Sequence, residues 1–234
     1  EGGAGRLLRE AGLVGRGAHE HLLDLAHGET VGDAGRAAGV AQAQADLAER
    51  GIDPLRLAES FGARTVRFAS HNEQIIRSAL VLKLLTYHRT GAILAAATTS
   101  LPETAGGVRN WDYRFCWIRD ASMTISMLTA LGHYNAARRF LSFIVDVVPR
   151  KDEKIQIMYG IRGEKKLIGR ELPWLAGHEG SRPVRVGNAA YLQRQNDIYG
   201  VLIDVIYRYF RLFRHTLSNS EELWGIVRGL VRTV

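Results

Sequence analysis

From residue 71 onward the apolar residues of this chain recur at helical spacing. Ile75, Ile76, Ala79, Leu80, Leu82, Leu84 and Leu85 form a face wide enough for a buried helix. Residues 91–110 interrupt the pattern with Thr-Thr-Ser, Leu-Pro and Gly-Gly and read as a loop. Asp120 then suits the N-cap of a helix that runs through Leu131 and is stopped by Gly132. A further helix runs from Asn135 through Val148, stopped by Pro149. Residues 151–187 carry six glycines and two prolines between short apolar runs, the composition of a long functional excursion. Asn188 to Leu212 is apolar on several sides, as a helix buried on two faces requires. Ser218-Asn219-Ser220-Glu221 offers a capping box for a last helix carrying Leu223, Trp224, Ile226, Val227 and Leu230. Helix follows helix, so the pattern predicts an all-α fold.

The first 70 residues differ. They are rich in Gly, Ala, Arg and Leu, and no Lys precedes Lys83, no Tyr Tyr87 and no Trp Trp111. An Ala-rich helix is predicted over Asp33–Arg50 and a short one over Leu55–Phe61. The apolar residues here are small and bury little area. The chain therefore divides into an atypical segment, 1–70, and a helical domain, 71–234.

Composition narrows the possible functions. The chain has 234 residues, 46% of them hydrophobic, enough for one ordinary core. It has no uninterrupted apolar stretch of membrane-spanning length, which argues against a membrane protein. The single cysteine, Cys116, cannot form an internal disulfide and fits a reducing, cytoplasmic setting. Lying between Phe115 and Trp117, it suits a small buried residue better than a reactive thiol. A net charge of +7 raises the question of nucleic acid, but the arginines are scattered and the densest basic run is only Arg162-Gly163-Glu164-Lys165-Lys166. No nucleic-acid partner is expected. His133, His178 and His215 lack ligand spacing, so neither a metal nor another cofactor is expected.

The chemistry concentrates in Arg109-Asn110-Trp111-Asp112-Tyr113-Arg114-Phe115-Cys116-Trp117-Ile118-Arg119-Asp120. Aromatic faces stack on the C–H faces of sugar rings, and a fixed Arg/Asp pair offers donors and acceptors to adjacent hydroxyls. The same residues also suit a helix entry with a structural Arg119–Asp120 pair and core aromatics.

Around this run stand Thr90 to Glu103 and Gly106-Gly107 upstream. Gln156 to Ile161, Gly180 to Asn188 and Gln195 to Gly200 follow downstream. These blocks, in this order, resemble glycoside hydrolase family 15, the bacterial and archaeal glucoamylase, glucodextranase and trehalase group. The resemblance implies an (α/α)6 barrel of twelve helices, of which residues 71–234 carry about the first five. It also implies a preceding β-sandwich, for which residues 1–70 show no alternating strands.

By motif match, Tyr113 and Trp117 line the innermost glucose subsite, and Arg119 with Asp120 holds hydroxyls at the non-reducing end. Trp111 joins them as a substrate-side residue or, like Asp112, orders the loop. Arg182, Gln195 and Asp197 match positions at a loop-to-helix edge, as sugar contacts or as loop and cap structure. Tyr159 walls the pocket or packs under the Gly160 turn.

The implied activity is exo-hydrolysis of α-glucans or maltooligosaccharides with inversion, with trehalase as the alternative. Inversion needs two carboxyl groups about 6.5–9.5 Å apart. The resemblance puts the acid in a Trp-Glu motif past the helix matching Glu221–Val234, and the base further on. No residue up to Val234 is therefore assigned as catalytic, and these residues alone are expected to be inactive. A remaining possibility is a non-catalytic helical protein that binds carbohydrate or self-associates through exposed apolar helix faces.

Overall fold

The computed structural model describes residues 54–148, 155–213 and 220–233. The predicted Asp33–Arg50 helix and the Ser218-Asn219 half of the capping box lie outside these residues, as do Pro149 and His215. Among the described residues are six α-helices: α1 (Pro54–Ala63), α2 (Asn72–Leu84), α3 (Ile118–Ala130), α4 (Tyr134–Val147), α5 (Asp197–Leu212) and α6 (Ser220–Thr233). Two antiparallel pairs of two-residue strands complete them. β1 (Cys116–Trp117) pairs with β2 (Met158–Tyr159), Cys116 opposite Tyr159. β3 (Arg170–Glu171) pairs with β4 (Arg185–Val186), Arg170 opposite Val186. The fold is all-α in class, and no helix among the described residues is long and apolar enough to cross a membrane.

The core lies where α3, α4, α5 and α6 meet, and each helix buries the stripe that its spacing dictates. On α3 this is Ile118, Ala121, Ser122, Ile125 and Leu128, and on α4 Ala137, Phe140, Leu141 and Ile144. On α5 it is Ile198, Leu202, Val205, Ile206 and Tyr209, and on α6 Leu223, Ile226 and Leu230. These intervals of three, four and seven residues align one side of a helix. A second cluster gathers Phe61 of α1, Ile76, Ala79 and Leu80 of α2, and Leu128 and Leu131. Helix α1 is thus packed on α2 and the end of α3, although it precedes residue 70.

Gly132 stops α3 as expected. Its φ of +90° lets its own N–H bond to Thr129 O at 3.0 Å while His133 N–H reaches back to Leu128 O at 2.8 Å. This pair of bonds is the Schellman arrangement, and it satisfies the last carbonyls of the helix.

Two expectations are corrected. Asp120 is not the N-cap of α3. The helix starts two residues earlier, after Trp117 in extended conformation, and Asp120 lies in its first turn. Strand β1 hands the chain directly to the helix, and Ile118 N–H bonds to Ile157 O at 2.9 Å, so the entry needs no side-chain cap. Asn188 to Leu212 is not one helix either. Asn188 accepts the N–H of Ala190 and closes a 3₁₀ turn, Ala189–Leu192, and Gln193 then turns extended before α5 begins at Asp197. Helix α5 buries one stripe, not two faces, and leaves Tyr207 and Leu212 exposed.

Candidate functional site

Residues 110–114 form an extended run with an inverted pattern. Asn110 and Asp112 are buried and Arg114 nearly so, while Trp111 and Tyr113 between them are exposed. Side chains alternate across an extended backbone, so the run turns a polar edge inward and an aromatic edge outward. One backbone edge is held by residues 95–100: Ala95 N–H bonds to Phe115 O, Ala96 N–H to Tyr113 O, and Ser100 N–H to Trp111 O, at 2.9–3.0 Å.

The inward edge centres on Asp112. Its Oδ1 accepts from Arg114 Nε at 2.8 Å and from Arg114 N–H at 3.2 Å. Its Oδ2 accepts from Arg114 Nη2 at 2.8 Å and from Gly187 N–H at 2.9 Å. The carbonyl of Asp112 accepts from Asn188 Nδ2 at 3.0 Å. Gly187 has φ +80°, and a Cβ there would stand 2.0 Å from Ile168 O, so only glycine can bring its N–H to this carboxylate. Asn110 Nδ2 donates to Gly107 O and Pro183 O. Ser100 accepts the N–H of Arg185, and both Thr99 and Ser100 donate to Arg185 O. The loops around residues 99–114 and 181–188 are thereby fastened together. On the outward side the Arg185 guanidinium lies 4.7 Å from the centre of the Trp111 ring.

A second group forms where α3 and α5 begin. Arg119 Nη1 donates to Asp197 Oδ2 at 2.8 Å and to Gln195 Oε1 at 3.3 Å. Arg119 Nη2 stands 3.6 Å from Asp120 Oδ2. The hydrogen bond from Arg119 holds the Asp197 carboxyl below its ordinary range, and Asp197 in turn raises the already high pKa of Arg119. Asp197 is thus fixed as an acceptor and is no proton donor. The first turns of α3 and α5 carry Asp120 and Asp197, where helix N-termini favour negative charge. Arg119 remains exposed enough to meet a ligand, and its Nε–H and Nη2–H groups have no acceptor within hydrogen-bond distance among the described residues.

Of the residues singled out from sequence, Arg119, Asp120 and Gln195 thus come together with Asp197. The strongest partner of Arg119 is Asp197, 78 residues away, and not its neighbour Asp120. Trp117 leads directly into α3, half-buried, its indole N–H buried and without a partner among the described residues. Tyr113 is exposed at one side, and its partial burial, followed by the charge of Glu103, raises its phenol pKa. No hydrogen bond among the described residues joins Tyr113 or Arg182 to the Arg119 group. Arg182 is exposed in the loop whose Ser181 hydroxyl accepts the N–H of Gly106. Tyr159 is fully buried among the described residues, and its hydroxyl accepts Gln156 N–H at 3.0 Å, so it packs inside the fold. Cys116 is fully buried, and burial pushes its thiol up to about 12, so it offers no nucleophile.

Asn110, Arg114, Arg185 and Gly187 were not singled out as site residues. The alternation of polar and aromatic residues from 110 to 114 was the available signal for the first two. Arg185 and Gly187 lie in the Gly180 to Asn188 block, but their pairing with residues 100–112 has no local signal, because only folding brings them near.

The sequence profile of the glycosyl hydrolases family 15 matches residues 69–234. The chain belongs to this family. Among curated relatives of this family 15 chain, the trehalase of Mycolicibacterium smegmatis is 48% identical over 161 residues, covering 66% of the chain and 23% of the relative. The trehalase of Mycobacterium tuberculosis is 47% identical over 161 residues, with the same two shares of 66% and 23%. Trehalase 1 of Sulfolobus acidocaldarius is 45% identical over 159 residues, covering 67% of the chain and 28% of that protein. The chain spans about a quarter of the length of these trehalases. No solved structure matches it significantly.

Proposed function

We propose that this chain carries part of the glucose-binding surface of a trehalose-hydrolysing member of family 15. The observation that carries the reading is the Arg119 group. An exposed guanidinium with free N–H donors is held by Asp197 and Gln195 beside the Asp120 carboxylate, one residue past the Trp117–Ile118 entry to α3. A sugar hydroxyl both donates and accepts, so a fixed guanidinium next to a carboxylate meets neighbouring hydroxyls in a defined order. Trp117 and Tyr113 add aromatic surface for the ring. Charge-assisted contacts of this kind fix the ring's position ahead of the chemistry.

The sequence alone favoured α-glucan or maltooligosaccharide as substrate and trehalose as the alternative. The trehalase relatives support the trehalose reading over the glucan one. Bond cleavage belongs to two carboxyl groups of the whole protein, an acid and a base on opposite faces of the scissile bond. Asp197 and Asp112 do not fill those roles, because each is committed to an arginine.

The test is hydrolysis by the full-length protein that contains this segment, with the anomers followed by NMR. Inverting cleavage of α,α-trehalose releases one α- and one β-glucose in equal initial amounts. Cleavage of maltotriose with trehalose left intact would return the reading to the glucoamylase type. Arg119→Ala should lower catalytic efficiency per folded molecule. Unchanged efficiency removes this group from the substrate site.

A further inference from the structure

Buried charge is costly unless it is paired and fully hydrogen-bonded, so an extended run that faces its polar residues inward calls for an explanation. Residues 110–114 do this while presenting Trp111 and Tyr113 to solvent. The conventional orientation would bury both rings and expose Asp112 and Arg114. What stabilises the inverted orientation is the number of bonds converging on one carboxylate. Two come from the Arg114 side chain, one from the Arg114 N–H and one from the Gly187 N–H, all within 2.8–3.2 Å. Those donors come from both sides of the site, because Gly187 ends the excursion over residues 151–187 and Arg114 lies two residues from Asp112. The run around Asp112 is held on both edges as well, since Ser100 N–H bonds to Trp111 O on one and Asn188 Nδ2 to Asp112 O on the other. Tyr113 lies between the two members of the pair. The bonds between Asp112 and Arg114, with that from Ala96 N–H to the Tyr113 carbonyl, restrain its backbone.

We propose that Asp112 is a positioning residue, whose buried carboxylate holds the Trp111–Tyr113 face at the angle at which the sugar is met, without touching the sugar. The proposal rests on the functional reading above. It differs from simple structural support in what it moves. Loss of the clamp weakens substrate capture through Tyr113, and leaves the turnover of captured substrate nearly intact.

The experiment is a double-mutant cycle in the full-length protein with trehalose as substrate. Asp112→Asn keeps the shape and an acceptor for Gly187 N–H, but removes the charge that orders Arg114. It should raise KM about tenfold, the effect of losing one charge-assisted contact, with kcat within about twofold. In a Tyr113→Ala background the same substitution should change KM by less than about twofold, since the residue through which Asp112 acts is gone. Equal effects in both backgrounds, or a loss confined to kcat or to the melting temperature, overturn the proposal. If Asp112→Asn does not fold, Arg114→Lys is read in the same cycle, because it keeps the charge pair and loses the two-pronged grip. An active parent with an additive cycle defeats Asp112 alone. A parent that does not cleave trehalose defeats the functional reading and this proposal with it.

Discussion

Two arginine–aspartate pairs of this chain close at the same 2.8 Å, Arg114–Asp112 and Arg119–Asp197, yet they do different work. The Arg114 and Asp112 side chains are 12% and 0% exposed, and every oxygen of the carboxylate is used internally. The Arg119 and Asp197 side chains are 37% and 46% exposed, and Arg119 keeps donors to spare. Distance and residue type are identical, so burial and the count of remaining partners separate them. The first pair fastens loops; the second is available to a ligand.

The largest effect should follow from breaking the buried pair. Asp112→Ala leaves Arg114 without its carboxylate and should cost about 3–5 kcal/mol in denaturant unfolding, as removal of one partner of a buried pair does. The matching Asp197→Ala, at an exposed pair, should cost about 1 kcal/mol or less. Similar losses at the two positions would erase the distinction.

Next comes Arg119→Ala in the full-length protein. Lost hydrogen bonds from a charged group are worth roughly 1.5–3 kcal/mol, so kcat/KM should fall by about tenfold to a hundredfold or more, while the melting temperature hardly moves. A lower melting temperature with normal efficiency per folded molecule would make both pairs structural.

His133 tests the same rule with a titratable group. It stacks on Phe61 at 3.7 Å between ring centres, and its Nε2 lies 3.0 Å from Thr65 Oγ1. Burial first, then the charges of Arg64 and Lys83, lower its pKa from 6.5 to about 4. The unfolded chain therefore binds the proton first. Stability is fully present above pH 6.5 and is lost as pH falls from there through about 4, at no more than about 1.4 kcal/mol per pH unit. Unfolding of the wild type and of His133→Gln across this window checks the sign. A wild type that gains stability relative to the variant on acidification contradicts it.

The smallest effect belongs to Asp120. Since it sits in the first turn of α3 and is not the cap, and its contact with Arg119 is exposed, Asp120→Ala should cost the fold only about 0.3–1 kcal/mol, the charge–dipole contribution. A thermal melt at low ionic strength measures this, and a much larger loss would point to a capping role after all.

The helices were legible from spacing, because their buried stripes are local: Ile125 and Leu128 on α3, Phe140 and Ile144 on α4, and Leu223, Ile226 and Leu230 on α6 follow the turn of the helix itself. Gly132 was legible as a stop for the same reason. The start of α3 was not, because its first N–H bonds to Ile157, just before β2 and 39 residues away, which no local cap signal reveals. The apolar run from Asn188 hid a break whose cause, the Asn188 cap of a short 3₁₀ turn, depends on conformation and not on hydrophobicity.

The sequence by itself determined the helical class, the family and the cluster of aromatic and charged residues at 109–120, since each is written in residue type and order. Only the tertiary structure decided which carboxylate each arginine takes. Arg119 chose Asp197 over adjacent Asp120, and Asp112 recruited Gly187 from 75 residues away. Residue type sets what a side chain can bond to. Burial and the convergence of distant backbone segments set what it does bond to, and those are properties of the packed chain alone.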